Sequence, residues 1–362
     1  MKRVPWAAAA LVALLTCPGA APASWTLLPP RPPPRLHGRI DDYTHHHHHG
    51  DQRIWSPTLC QWRDLLVYLP PGYDPACHYP AMLWLHGIAE DEGTFLLDGL
   101  RDFDAAMAAG CLPPMIIVMP DASWTGRPRL LGPRPLYLNS RLGPWEDYII
   151  HDIWPFALSH YPIRPEREAH VIAGFSGGGS GAYRLALKYP EQFGIVFGIS
   201  APLNTRWVDC HGHYFGNFRP DCWGWRDEVR GRDVVGRFAL GLVNIRMRGL
   251  VYPLFGRGPH VPGELSRENP IEMLDHFDVP PGLYQMLVAY GGKDQFNIDA
   301  QTESFIYVAR QRGLDITVLY KPRGRHNLIL AERFMPDIIA WLRPLLEPFR
   351  CPPACPLSEP RP

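Results

Sequence analysis

Ser176 stands among small residues in the segment GFSGG at positions 174–178. An apolar run at 170–173 precedes this segment, and a helical pattern that Pro190 ends follows it. The spacing G-x-S-x-G between a strand and a helix is typical of a tight turn that lifts the serine hydroxyl clear of a sheet. It also places the backbone N–H of Gly177 at a helix N-terminus, where that group can face an oxyanion. A glycine-rich turn with an ordinary serine cap is the alternative structure.

A serine hydroxyl is a weak nucleophile unless a general base and an orienting carboxylate activate it. In proteins with this turn the chain order is serine, then acid, then histidine. Asp294 follows the apolar segment LVAYGG, and His326 lies between the strand pattern ITVLYK and the last helix. Asp299 is the rival acid, although its position is that of an N-cap for the following helix. We therefore predict Ser176 as the nucleophile, His326 as the general base and Asp294 as the acid that orients it.

A second donor to an oxyanion should come from an earlier loop at a strand end. The segment LWLHGIAEDEG offers the backbone N–H of Ile88, directly after His86 and Gly87. Ile88 and Gly177 are therefore the predicted oxyanion hole. We expect His86 to hold this loop in place rather than to react.

Alternating strand and helix patterns must position these residues. Seven apolar segments predict strands, in RDLLVYLPPGY, AMLWLHG, MIIVMPD, HVIAGFS, GIVFGIS, YQMLVAYGG and DITVLYKP. Three segments have helical spacing, in WEDYIIHDIWPFALSHY, DAQTESFIYVARQRG and LILAERFMPDIIAWLRPLLE. This alternation predicts an α/β fold with a mainly parallel central sheet covered by helices on both faces. Residues 204–264 have weak periodicity and follow a strand, so we predict a lid-like insert that shapes the ligand crevice.

The two ends of the chain have a different character from its centre. Residues 1–23 predict a signal peptide, with a charged start, a short apolar run and an A-x-A site at 21–23. A lipoprotein anchor at Cys17 is the alternative. We further predict a proline- and histidine-rich segment at 24–58, a catalytic domain at 59–348 and a proline-rich tail at 349–362. The expected location is secreted or periplasmic.

Composition excludes several classes of partner. Lys and Arg together number 36, as do Asp and Glu, so the formal net charge is zero. Such a chain has no overall basic field to hold nucleic acid. No segment after the signal is long and apolar enough to span a membrane. The sequence leaves the oligomeric state open.

Seven cysteines remain once the signal is removed, so at least one is unpaired within the chain. Proximity allows Cys210 to pair with Cys222, and Cys351 with Cys355. The segment DCHGHYFGNFRPDC at 209–222 could instead hold zinc, although its ligand spacing is not a standard one. The histidine run at 45–49 could chelate a metal or form a solvated polar strip. We predict no resident metal and no cofactor.

Three tryptophans of the insert are candidate substrate contacts. Trp207, Trp223 and Trp225 could stack on sugar rings or aromatic ester groups. Packing within the insert is the alternative role, and the sequence does not separate the two.

Four segments together resemble a known family: VYLPPGYDPACHYPAMLWLHG, GFSGGGSGAYRLALKYPEQFG, AYGGKDQFNIDAQTESF and GRHNL. They are similar to the putative esterase family of α/β-hydrolases, which includes S-formylglutathione hydrolases, feruloyl and acetylxylan esterases, enterochelin esterases and mycolyltransferases. The resemblance covers residues 60–346. It implies the same site residues, namely Ser176, Asp294, His326, Ile88 and Gly177. Many members of that family have Met where this chain has Gly177, and the insert lies outside the usual pattern.

We therefore expect an exported serine esterase that hydrolyses carboxylic esters through an acyl-enzyme. Its substrates would be small esters or plant or microbial polysaccharide or aromatic esters. An acyltransferase of the same fold is one alternative, because an alcohol could replace the attacking water. A catalytically inactive glycan-binding module is the other, and the intact set of Ser176, Asp294 and His326 disfavours it.

Overall fold

The computed structural model describes residues 35–46, 50–126 and 132–351. Its strands are β1 (Arg39–Tyr43), β2 (His45–His46), β3 (Gly50–Asp51), β4 (Ile54–Ser56), β5 (Gln61–Arg63), β6 (Leu65–Leu69), β7 (Ala81–Leu85), β8 (Ile116–Pro120), β9 (Asn139–Ser140), β10 (Gly143–Pro144), β11 (His170–Phe175), β12 (Ile195–Ile199), β13 (Trp207–Asp209), β14 (Trp223–Trp225), β15 (Val234–Phe238), β16 (Val243–Arg246), β17 (Gln285–Gly291) and β18 (Ile316–Lys321).

Helices connect and cover these strands. The α-helices are α1 (Thr94–Asp98), α2 (Leu100–Ala108), α3 (Trp145–Asp147), α4 (Trp154–His160), α5 (Gly177–Lys188), α6 (Met247–Leu250), α7 (Tyr252–Phe255), α8 (Val261–Arg267), α9 (Pro270–His276), α10 (Ile298–Gln311) and α11 (Leu328–Leu346). A π-helix spans Tyr148–Ile153, and short 3₁₀ helices span Arg167–Ala169, Ala239–Gly241 and Glu347–Phe349. Among the described residues, no helix combines the length and apolar character that crossing a membrane requires.

Eight strands form the central sheet, in the order β1-β6-β8-β7-β11-β12-β17-β18. The pairs β1 with β6 and β6 with β8 are antiparallel, and every pair from β8 to β18 is parallel. The predicted mainly parallel sheet is therefore confirmed. Because parallel strands share a carboxyl edge, the residues that follow β7, β11, β17 and β18 are placed along one side of the sheet.

Both faces of the sheet are buried, which explains the continuous apolar strand segments. In β6, Leu65 and Val67 pack into the hydrophobic cluster on one face, with α4, α5, α9 and α10. Leu66 and Tyr68 pack into the cluster on the other face, with α1, α2 and α11. Side chains alternate between faces along a strand, so each apolar strand serves two cores.

The amino-terminal boundary of the folded domain differs from the prediction. β1 pairs with β6 along its whole length, from Arg39 opposite Leu69 to Tyr43 opposite Leu65. The domain therefore begins before the predicted boundary at 59. β1 is an edge strand with partly exposed side chains, so it needs no apolar run and leaves no strong pattern in the sequence. The predicted signal peptide, residues 24–34 of the predicted proline- and histidine-rich segment and most of the predicted tail lie outside the described residues.

Two disulfides cross-link residues of the described chain. Cys210 pairs with Cys222, with a Cα–Cα distance of 4.7 Å, as proximity allowed. Cys351 pairs with Cys77 rather than with Cys355, because folding brings these two distant residues to a Cα–Cα distance of 6.1 Å. Cys60 and Cys111 are exposed free thiols.

Asp104 anchors the segment before β1 to helix α2. Its buried carboxylate accepts hydrogen bonds from the backbone N–H groups of His37 and Gly38 and from the hydroxyl of Tyr68, at 2.8 to 3.0 Å. Burial raises the pKa of Asp104, but these hydrogen bonds outweigh it and hold the pKa below its usual value. A depressed carboxyl pKa stabilises the fold above the unfolded-state pKa, and this contribution is lost as the pH falls through the folded-state pKa.

We predict that Asp104→Asn lowers the free energy of unfolding at pH 7 by about 1–3 kcal/mol, because an amide cannot accept all of these hydrogen bonds. Urea unfolding at pH 7 and at acidic pH measures the effect, which should shrink in acid. Asp102→Asn, on the same helix, is the matched control and should change stability little. Equal losses in the two variants would contradict the anchoring role.

Candidate active site

Ser176 occupies a strained turn between β11 and α5. Its backbone has φ 53° and ψ −119°, a region that residues with a side chain rarely adopt. The backbone N–H of Ser176 donates to the carbonyl of Ile199, at 2.8 Å, and its own carbonyl accepts from the N–H of Ser180, at 3.1 Å. These bonds from β12 and α5 hold the turn, so the strain is supported by the surrounding structure.

Gly174 and Gly178, near Ser176, lie so close to neighbouring backbone atoms that a side chain would not fit. A Cβ atom at Gly174 would lie 2.5 Å from the carbonyl oxygen of Leu85 and 2.5 Å from the carbonyl carbon of Gly178. A Cβ atom at Gly178 would overlap the backbone of Leu85 and His86. The start of α5 therefore packs directly onto the end of β7, which brings the loop after β7 to the serine.

His326 lies in the loop between β18 and α11, and its ring joins the other two predicted residues. The Nδ1 atom lies 2.8 Å from Oδ2 of Asp294, and Nε2 lies 2.9 Å from Oγ of Ser176. A carboxylate only accepts hydrogen bonds, so Nδ1–H donates to Asp294 and Nε2 accepts from the serine hydroxyl. The structure thus places Ser176, His326 and Asp294 in one hydrogen-bonded chain.

Asp294 follows β17, and its side chain is completely buried beside His326. Its Oδ1 atom accepts from the backbone N–H of Phe296, at 2.8 Å. Asp299 has a different position from the one predicted, because Asn297 is the N-cap of α10 and Asp299 is the second residue of the helix. Burial and the charge of Asp294 raise the pKa of Asp299, and no hydrogen bond joins it to His326 among the described contacts.

Two residues next to Asp294 hold the histidine and were missed at the level of sequence. The side-chain oxygen of Gln295 accepts from the backbone N–H of His326, at 2.8 Å. The ring of Phe296 packs against the imidazole with centroids 4.8 Å apart, and Phe175 packs against it at 5.3 Å. The sequence places Gln295 and Phe296 just after Asp294, and Phe175 just before Ser176. A local pattern, however, does not show toward which residue a side chain points.

The predicted oxyanion donors border one cleft. Ile88 and Gly177 both line a cleft of about 580 Å³, a volume that includes its opening to solvent. The side chain of Ile88 comes within 3.2 Å of the position that a Cβ of Gly177 would take. Among the hydrogen bonds of the described residues, neither backbone N–H is a donor to the protein. Both groups can therefore serve an oxygen atom of a ligand.

His86 holds the Ile88 loop, in agreement with the expected structural role. Its Nε2 atom accepts from the backbone N–H of Ala122, at 2.9 Å, so its Nδ1–H donates to the carbonyl of Gly87, at 2.9 Å. The hydroxyl of Tyr137 donates to the carbonyl of His86, at 2.8 Å. The N–H of Gly87 donates to the carboxylate of Glu90, at 2.6 Å. These bonds restrain His86 and Gly87, directly before Ile88.

The three tryptophans of the insert do not reach this cleft. Trp207 is fully buried and donates its indole N–H to the carbonyl of Tyr214, at 3.0 Å, so the predicted substrate contact is wrong for Trp207. Trp223 and Trp225 pack edge to face, 5.0 Å apart, on the β13–β14 hairpin and are absent from the cleft lining. The half-exposed Trp124 lines the cleft instead.

The insert also braces the loop that carries Asp294. The hydroxyl of Tyr214 donates to the carbonyl of Phe296, at 2.8 Å, and accepts from the side-chain amide of Gln301, at 2.9 Å. The amide of Asn297 donates to the carbonyls of Tyr214 and Gly216, at 2.8 and 3.1 Å. Tyr214 and Gly216 lie between Cys210 and Cys222. The disulfide between these cysteines therefore restrains the segment that holds the loop of Asp294.

The alternative of a zinc site at 209–222 is wrong, because Cys210 and Cys222 form a disulfide and have no thiolates to bind the metal. In the histidine run, His45 and His46 form β2, and 47–49 lie outside the described residues.

Elsewhere, Asp64, Glu92 and Asp121 have carboxylate oxygens within 4.8 Å of one another. Arg63 pairs with Asp121, at 2.5 Å, so one of these carboxylates already has a cationic partner. Burial, then the charges of Asp121 and Asp91, raises the pKa of Glu92 to about 9.

The comparisons with known proteins agree with this fold. Residues 56–235 match the family model described as "Putative esterase". Two curated esterases of Mycobacterium tuberculosis, from strains CDC 1551 and H37Rv, are 31% identical over 169 residues. The match covers 43% of this chain and 34% of each relative, so the chain spans about a third of the length of these relatives. The resemblance to the esterase family is therefore confirmed.

Solved structures support the same conclusion about the fold. A ferulic acid esterase matches with a TM-score of 0.61 and 17% identity, covering 86% of this chain and 99% of its own. An S-formylglutathione hydrolase from Agrobacterium tumefaciens matches with a TM-score of 0.59 and 16% identity, covering 86% and 96%. A fluorophosphonate-binding serine hydrolase of Staphylococcus aureus matches with a TM-score of 0.57 and 17% identity, covering 84% and 98%. The chain has the α/β-hydrolase fold.

We predict different effects at the two neighbouring acids. Asp294→Asn should lower kcat for p-nitrophenyl acetate by about 10²–10⁴-fold, because His326 loses the anion that orients it. Asp299→Asn should change kcat less than about threefold, because its carboxylate is not bonded to the histidine. Steady-state kinetics of the two variants makes the comparison. Reversed effects would identify Asp299 as the acid.

We also predict that Tyr214→Phe lowers kcat by about tenfold for small and bulky esters alike, with KM nearly unchanged. The reason is that the loop of Asp294 loses a support, while the cleft lining stays intact. Reduction of the Cys210–Cys222 disulfide should act in the same direction. Tyr252→Phe, also in the insert but without a bond to this loop, is the control. A rise in KM confined to bulky esters would show that the insert shapes the pocket only.

Proposed function

We propose that the protein is a serine esterase that hydrolyses carboxylic esters through an acyl-enzyme. The observation that carries the proposal is the chain of two hydrogen bonds, 2.9 Å from Ser176 Oγ to His326 Nε2 and 2.8 Å from His326 Nδ1 to Asp294 Oδ2. This is the geometry that a nucleophile, a general base and an orienting acid require. The nucleophile is only 7% exposed but lies beside the cleft that Gly177 lines.

In the proposed reaction, Oγ of Ser176 attacks the ester carbonyl while its proton passes to Nε2 of His326. The carbonyl oxygen becomes an oxyanion, which the N–H groups of Gly177 and Ile88 stabilise. The tetrahedral intermediate then expels the alcohol, which leaves with the proton from His326. Water, deprotonated by the same histidine, attacks the acyl-enzyme, and the acid and free serine are released. Asp294 holds the imidazole in the required tautomer and stabilises its protonated form.

The proposed substrates are aromatic esters or esters of plant or microbial polysaccharide. The names of the similar solved structures, which include a ferulic acid esterase, support this class. The cleft offers the indole of Trp124 and the side chain of Leu136, which suit a flat apolar group. The signal-like pattern at 1–23 supports a secreted or periplasmic location.

Ser176→Ala is expected to lower the turnover of p-nitrophenyl acetate by about 10⁴-fold or more and to abolish labelling by a fluorophosphonate. Ser200→Ala is the matched control, because Ser200 also follows a strand of the sheet with positive φ, and its buried hydroxyl has no partner. The control should keep both activity and labelling. Product analysis with an added alcohol separates hydrolysis from acyl transfer. Labelling that survives Ser176→Ala, or an unlabelled wild type, would overturn the proposal.

A further inference from the structure

The β15–β16 hairpin of the insert ends in an exposed apolar tip. Leu242 is 86% exposed and Val243 is 42% exposed, and Leu242 is the most exposed large hydrophobic side chain among the described residues. Single exposed apolar residues are common on protein surfaces. An exposed apolar tip indicates a binding surface when other features of the same region show what it binds.

The same region carries an excess of positive charge. Residues 234–258 contain four arginines and no acidic residue, in a chain whose formal net charge is zero. Arg248 and Arg257, together with Arg141, line an open depression beside Tyr252. No described carboxylate forms an ion pair with any of these three guanidinium groups. The region therefore combines exposed apolar side chains with guanidinium groups that no described carboxylate neutralises, one of which, that of Arg257, lies over the ring of Tyr252 at 5.1 Å.

The tip end of the hairpin, where Phe238 is paired with Val243, adjoins the candidate active site. The ring of Phe238, at the end of β15, packs edge to face on Phe296 with centroids 5.3 Å apart. Phe296 in turn packs on the imidazole of His326, at 4.8 Å. The backbone N–H of Arg237 donates to the carbonyl of Gln295, at 2.9 Å. A surface that holds the hairpin thus lies close to the loop that carries the candidate triad.

We propose that this hairpin docks on an anionic lipid surface. Leu242 and Val243 would enter the boundary between headgroups and acyl chains, and the arginines of 234–258 and Arg141 would face the lipid phosphates. An acidic glycan could satisfy the arginines, but it offers no apolar phase for Leu242. Docking goes beyond the proposed esterase activity and does not require it. Where both hold, the ester bond to be cleaved would be presented at the lipid–water interface.

The test is co-sedimentation of the full chain with vesicles of phosphatidylglycerol and phosphatidylcholine in equal parts. Wild type should bind these vesicles at least about tenfold more tightly than vesicles of phosphatidylcholine alone, and salt should weaken binding. Leu242→Asp should weaken binding at least about tenfold. Leu158→Asp, which changes an exposed leucine on α4, should bind as wild type does. Both variants carry the same terminal segments, so any binding by those segments is common to them.

A second pair of variants tests the charges. Arg248→Gln combined with Arg257→Gln should weaken binding to the anionic vesicles, whereas Arg101→Gln combined with Arg333→Gln should not. Far-ultraviolet circular dichroism checks that each variant folds. Equal vesicle binding by wild type and Leu242→Asp, or no binding by wild type, would overturn the proposal. Binding to oligogalacturonate that depends on Arg248 and Arg257 but not on Leu242 would overturn it in favour of an acidic glycan. Ser176→Ala should bind vesicles normally, so failure of docking and failure of the esterase proposal remain distinguishable.

Discussion

The close approach of two backbones, at the end of β7 and the start of α5, is the constraint on which the candidate site depends. Gly178 permits this approach, because any side chain there would overlap the carbonyl groups of Leu85 and His86. The approach forces Ser176 into positive φ and brings the Ile88 loop alongside Gly177. One contact between strand and helix thus sets both the position of Ser176 and the position of Ile88 beside Gly177, the predicted oxyanion donors.

The second half of the site depends on support from the insert. The loop of Asp294 has bonds of its own, from the N–H groups of Phe296 and Asn297 to Asp294, and the insert adds further ones. Tyr214 bonds to Phe296 and Asn297 in this loop, and Gln295 bonds to His326. A segment with weak periodicity therefore has a specific structural role, which is to hold the loop of Asp294 beside His326.

Much of the fold was predictable because its determinants are local. The apolar runs of β6, β7, β8, β11, β12 and β17 are buried on both faces, so each is visible as a continuous segment. β1 was not predictable in this way, because an edge strand such as Arg39–Tyr43 needs little apolar character. The cap of α10 was also misplaced, since Asn297 and Asp299 are both residues that favour helix starts.

The sequence by itself determined the order of the seven apolar strands of the central sheet and the residue types at three strand ends, where Ser176, Asp294 and His326 lie. Local patterns carry that information, because periodicity and turn residues depend only on neighbours in the chain. Only the tertiary structure decided that Trp207 is buried and that Cys351 pairs with Cys77, 274 residues away. The physical reason is that contacts between distant segments depend on how the layers pack, and no local pattern records that packing.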